Sequence, residues 1–146
     1  MKPSRVTIHC TASKDGFNYP ASQIDSDHKA RGWKGIGYHF VIQPSGSVEE
    51  GRPLDEIGAH VQGDNKDNIG IALVGTNKFT LSQFKALRMI LEALDTKFKI
   101  HGSQIFGHYE FLSAKEQGKT CPNMRITNVV LWYYFEDESF ISEWLL

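Results

Sequence analysis

The stretch that most restricts the fold is Ile69-Gly70-Ile71-Ala72-Leu73-Val74-Gly75. It contains no charged side chain and does not alternate between apolar and polar, so it reads as a strand buried on both faces. Such a strand belongs in the middle of a sheet covered on both sides, the usual setting of parallel strands. Gly70 and Ala72 leave room for something to pack closely on one side. Thr80-Leu81-Ser82-Gln83 follows, with the Thr-x-x-Gln spacing of a capping box. Behind it Phe84, Leu87, Leu91, Leu94 and Phe98 recur at steps of three and four. The spacing predicts an amphipathic helix over 81–99 that buries its stripe on the sheet. A chain of 146 residues has length for one domain around one core. The expected fold class is therefore α/β, a single domain over residues 1–146 with a central mixed β-sheet flanked by helices.

Other stretches supply the remaining elements. Arg5 to Cys10 reads as a strand, with Val6, Ile8 and Cys10 on one face and Thr7, His9 and Thr11 on the other. Ser22 is placed to cap a helix over 23–30 that Gly32 stops, with His28 on its solvent side. Tyr38 to Ile42 reads as a second strand, with Tyr38, Phe40 and Ile42 facing one way and His39 and Val41 the other. Pro44-Ser45-Gly46-Ser47 is a turn leading to a short return strand over 48–51. Gln104 to Phe106 is a short strand that delivers His108 at its end. Residues 109–120 are polar enough to be a surface loop.

Two histidines and a cysteine stand out as potential ligands. His9 lies on the polar face of the first strand, and His108 and Cys121 lie late in the chain. Two imidazoles and a thiolate suit tetrahedral Zn²⁺, and three protein ligands leave one position open, as in catalytic rather than structural sites. The bland reading of His9 is a histidine at a strand end, and Cys10 reads as core filler. Tyr38 is either a core aromatic or a phenol at a sheet edge facing a cleft. Lys119 is two residues before Cys121, so in an extended segment both point the same way; otherwise it is a solvated lysine. His60, between a loop and a strand, is a substrate contact or a solvated side chain.

Composition closes off other classes. A formal net charge of -1 without a dense Lys/Arg run does not suggest a nucleic-acid partner. Two cysteines are too few for a disulfide scaffold and leave at most one bridge. No apolar run approaches the roughly 20 residues that span a bilayer, and no charged-then-apolar leader precedes the first strand. The chain is expected to be made in the cytoplasm.

Taken in order, Ile8-His9-Cys10-Thr11-Ala12, Gly37-Tyr38-His39-Phe40-Val41-Ile42, the run from Ile69 to Gly75, Gly107-His108 and Lys119-Thr120-Cys121-Pro122 resemble the zinc-dependent N-acetylmuramoyl-L-alanine amidases. This type-2 amidase family includes amidase-type phage lysozymes and shares its fold with peptidoglycan recognition proteins. The resemblance covers roughly residues 4–125. It implies that His9, His108 and Cys121 are the zinc ligands, that Tyr38 is the catalytic tyrosine, and that Lys119 is the cationic group beside the metal. The implied reaction is hydrolysis of the amide between N-acetylmuramic acid and L-alanine of peptidoglycan.

A phage endolysin is implied, expected to be monomeric, to accumulate in the host cytoplasm and to act on the wall. Some phage relatives also bind and inhibit a phage RNA polymerase, and that partner is carried as a further implication. A non-catalytic peptidoglycan-binding module on the same fold is the alternative. Glu110 and Glu116 lie in the 109–120 interval, and neither is assigned as a general base. That interval is longer than in the compact phage lysozymes. Beyond it, residues 126–146 carry Trp132, Tyr133, Tyr134, Phe135, Phe140, Ile141, Trp144 and Leu145. They are expected to form one or two short helices broken near Asp137, either closing the core or presenting an aromatic patch to a partner or membrane.

Overall fold

The computed structural model describes residues 1–146. Its strands are β1 (Arg5–Cys10), β2 (Phe40–Ile42), β3 (Val48–Glu50), β4 (Asn68–Leu73) and β5 (Ile105–Gly107). Its α-helices are α1 (Ala21–Ala30), α2 (Leu81–Phe98), α3 (Leu112–Glu116) and α4 (Ile126–Phe135). The strands form one mixed sheet in the order β3-β2-β4-β1-β5. Only the β2–β3 pair is antiparallel. The apolar run occupies the middle as β4, and every one of its residues is buried.

Burial on both faces has a visible cause. Val6, Ile8, Ile69, Ile71 and Leu73 join Phe84, Leu87, Leu91 and Leu94 of α2, together with Val129, Trp132 and Tyr133 of α4, in the main core. On the opposite face Val41 and Val74 meet Ile24 of α1 and Ile36 in a smaller cluster. Helix α2 starts as its sequence demands: the Thr80 side chain accepts from the Gln83 backbone N–H at 3.1 Å, and Gln83 Oε1 accepts from the Thr80 N–H at 2.9 Å. The Gln83 amide group also donates to the Ile42 and Val74 carbonyls, tying the helix start to the ends of two strands.

Several expectations need correction. Helix α1 begins at Ala21, behind Pro20, without a side-chain cap from Ser22. The Ala21 N–H is met by the Glu49 carboxylate at 3.1 Å, so the neighbouring strand supplies the acceptor that a cap would. His28 is buried rather than exposed, because residues 33–37 fold back over the helix. Its Nδ1 accepts from the Gly37 N–H at 3.0 Å, and the Trp33 ring lies 4.6 Å away. Tyr38 packs with Val41 rather than with Phe40 and Ile42, because regular strand geometry begins only at Phe40 and parity does not extend back to Tyr38.

The interval after His108 is also not a plain loop. It holds a 3-10 turn over His108–Glu110 and then α3, which Phe111 and Ala114 anchor by burial. At the C-terminus, α4 ends at Glu136 in the left-handed region, and two 3-10 turns follow. The last residues clasp Phe79: its N–H donates to the Trp144 carbonyl at 2.8 Å, and its carbonyl accepts from Leu146 at 2.8 Å. Closing the core is therefore the main role of this segment, though Tyr134 and Phe135 stay exposed.

Leu91 is 2% exposed in the main core. Leu91→Ala is expected to cost about 2–5 kcal/mol in urea unfolding, with the slope of the transition unchanged.

Candidate metal centre and cleft

The sheet brings the first two ligands together by register. In β1, Ile8 pairs with Gly107 of the parallel strand β5. His9 and His108 each come one residue later, at the carboxyl ends of neighbouring strands, where open α/β sheets place their sites. Their ring centroids are 4.6 Å apart. Cys121 arrives from the segment after α3. Its carbonyl accepts from the Tyr109 N–H at 2.9 Å, and its Sγ accepts from the Cys10 N–H at 3.2 Å. The potential ligand atoms of His9, His108 and Cys121 all lie within 4.8 Å of one another. His9 Nδ1 and Cys121 Sγ are 3.9 Å apart. Tetrahedral zinc with ordinary Zn–N and Zn–S lengths would separate them by about 3.6 Å. The residues present therefore fit such an ion in spacing as well as in donor chemistry.

A chain of hydrogen bonds decides which nitrogen of His9 is free. The Asn68 carbonyl can only accept, so His60 Nε2, 2.9 Å away, carries the proton. His60 Nδ1 is then bare and accepts from His9 Nε2 at 2.9 Å. His9 Nδ1 is left with its lone pair directed at the side where Cys121 lies. His60 thus has no ring nitrogen left for a substrate; its ring stands at the cleft wall. The space for that ring is made by Gly70, where an added Cβ would lie 2.7 Å from His60 Cγ. Asn65 holds the loop by accepting from the N–H groups of His60 and Val61. His39 is fixed in the same manner: its Nδ1 accepts from the Gly70 N–H and its Nε2 donates to the Glu56 carbonyl.

Burial sets the protonation states. It pushes His9 well below the ordinary imidazole value, with His60 next in effect. Burial holds His60 down to about 3, and burial with the nearby Lys119 holds His108 down to about 4. Neutral imidazoles are the form that ligates a metal. Burial and the neighbouring Cys121 raise the Tyr38 phenol, so it remains a donor. The adjacent Cys10 thiol and burial push the Cys121 thiol up; a coordinated divalent cation would reverse that order.

Around the triad is a cavity of about 440 Å³ that Tyr38 and Lys119 also line. The Tyr38 ring is 5.2 Å from His9. No Asp or Glu lines this cavity. Glu110 instead accepts from the Gly107 N–H at 2.7 Å, and Glu116 is exposed on α3. Sequence reasoning did not find the His60–Asn68 relay, the Arg31 and Trp33 contributions to the cavity or the Gln62–Gln117 bridge. Only the small residue at Gly70 hinted at the first.

Comparison with known proteins identifies the family and the fold. The family described as N-acetylmuramoyl-L-alanine amidase matches residues 1–124. An endolysin of Klebsiella phage KP32 is 34% identical over 131 residues, covering 84% of this chain and 82% of the relative. The amidase LysC from Clostridium intestinale URNW superposes with a TM-score of 0.75 at 30% identity, over 88% of this chain and 83% of that one. The ectodomain complex of peptidoglycan recognition proteins LCa and LCx gives 0.66 at 29% identity, over 75% and 72%.

His60→Ala is expected to weaken zinc binding about 10–100-fold in a chelator competition, with the far-ultraviolet spectrum unchanged. Gly70→Ala should weaken it in the same direction by displacing the His60 ring. The depressed histidines also set a pH dependence. As pH falls below 6.5 the unfolded chain takes up protons before His108, held down to about 4, does so in the fold. The metal-free protein should therefore lose stability progressively from pH 6.5 toward 4, measured as a falling urea midpoint.

Proposed function

The chain belongs to the N-acetylmuramoyl-L-alanine amidase family, and from that premise we propose that it is a zinc-dependent phage endolysin cutting the muramoyl–L-alanine amide of peptidoglycan. The observation that carries the zinc is the cluster of His9, His108 and Cys121 at the floor of a cleft also lined by Tyr38 and Lys119. Held there, Zn²⁺ would supply a Lewis acid for the carbonyl and lower the pKa of water toward 7.

The chain's own residues do the rest. His9 presents Nδ1 because His60 and Asn68 hold its other nitrogen. Lys119 brings an ammonium to the side of the cleft where the oxyanion develops, a contribution of about 10²–10³ in rate for a well-placed donor. Tyr38 stays protonated and offers a hydrogen bond to the reacting oxygen or water. No carboxylate lines the cavity, so the proton donor is assigned to the phenol. No helix is long and apolar enough to cross a membrane. The reading includes a monomer that accumulates in the host cytoplasm and acts later at the wall.

Stripping the metal should abolish release of stem peptides from peptidoglycan, followed by mass spectrometry, and one equivalent of Zn²⁺ should restore it. Full activity in the stripped protein would refute the zinc reading. Cys121→Ser should bind zinc poorly. Lys119→Ala should bind it normally yet lower kcat about 10²–10³-fold. A protein that retained muropeptides without ever cutting them would instead be the non-catalytic module.

A further inference from the structure

Two cavities adjoin the candidate metal centre, and the only residue they share is Lys119. One, of about 460 Å³, lies between the His60–Asn65 loop and α3. The other, of about 600 Å³, lies between residues 119–128 and the final turn that carries Glu143 and Trp144. Reading the protein as an amidase makes both necessary, and the assignment of the two cavities rests on that reading. The scissile amide joins a sugar chain to a peptide, so substrate must leave the reacting carbon in two directions.

We propose that the cavity between Arg125 and Trp144 is the glycan arm, which binds the amino-sugar chain on the muramoyl side of the cut bond. The shape of the two arms separates their occupants. Gln117 Nε2 donates to Gln62 Oε1 at 2.9 Å, a bridge between the walls of the first arm. A bridged slot suits a short peptide with an end. Asn128 Nδ2 donates to the Phe140 carbonyl at 3.0 Å beside the wider arm, but no hydrogen bond or ion pair joins Arg125 to Glu143 or Trp144, and a polymer that continues past the site needs such an open trough.

The chemistry agrees. Trp144 is 9% exposed, and its indole N–H has no partner within the protein, yet it is not sealed in the core. Arg125 and Glu143 line the same cavity, and neither forms an ion pair. Donors and an acceptor thus remain unspent along the trough. Sugar hydroxyls and acetamido groups both donate and accept. Arg125, Glu143 and Trp144 all lie beyond residue 124, where the family match ends. This wall is built by the segment that otherwise closes the core.

The three tryptophans provide the test. Trp33 lines the peptide-side cavity, Trp144 the other, and Trp132 is a buried control whose indole N–H donates to the Phe84 carbonyl at 3.2 Å. The zinc-loaded, ¹⁵N-labelled protein is titrated separately with peptide-free N-acetylglucosaminyl-N-acetylmuramic acid and with sugar-free stem peptide. The disaccharide is expected to shift the Trp144 indole resonance and leave that of Trp33, and the peptide is expected to do the reverse. Arg125→Ala should weaken disaccharide binding about ten-fold, the loss of one charge-assisted hydrogen bond, without changing peptide binding. A disaccharide response at Trp33 alone, or none at Trp144 while wild-type protein still cleaves peptidoglycan, overturns the glycan arm and leaves the amidase reading intact. Failure of the zinc-loaded protein to cleave peptidoglycan overturns both.

Discussion

The Asn68 carbonyl is where the organisation of the site begins. A carbonyl oxygen cannot donate, so it dictates the tautomer of His60, and His60 dictates that of His9. Without this relay, the imidazole of His9 could turn its protonated nitrogen toward Cys121 and no longer present a lone pair there. The relay works only because it is dry. Asn68 is fully buried and His60 nearly so, and water in that space would offer both a donor and an acceptor and erase the choice.

Dryness in turn depends on β4. The strand is flanked by β1 and β2, carries the main core on one face, and takes the His60 ring against Gly70 on the other. A side chain at position 70 would occupy that place. The same strand thus supplies the carbonyl that starts the relay and the gap that admits its middle member. Sheet register then does the assembly. Because β1 and β5 run parallel side by side, His9 and His108 emerge together at one end, and Cys121 needs only to be led back across them. The lead is given by α3 and by backbone hydrogen bonds from Tyr109 and Cys10.

The C-terminal segment links stability to substrate shape. Trp132 and Tyr133 fill the core beneath α2, and the last turn clasps Phe79. Trp144 does both jobs: its backbone holds the clasp, and the residue also lines the trough that Lys119 shares. One short stretch of chain can close a fold and furnish a wall of a binding groove because backbone and side chain point to different neighbours.

Sequence alone was enough for the elements with a strong period and for the residue types that do chemistry. The uninterrupted apolar run reads as a central strand, the stripe behind Thr80 reads as an amphipathic helix, and the resemblance to the amidase family picks out His9, His108 and Cys121 with Tyr38 and Lys119, which the fold brings to one cavity. These properties are local, or are fixed by the chemistry of single side chains. The fate of His60 and His28, the packing side of Tyr38, and the helix inside the 109–120 interval were decided by tertiary structure. Each depends on what a distant segment places beside the residue: Asn68 and Gly70 against His60, residues 33–37 over His28, and the late start of β2 beneath Tyr38. No periodicity in the chain encodes those encounters, because they are set by how layers pack rather than by spacing along the backbone.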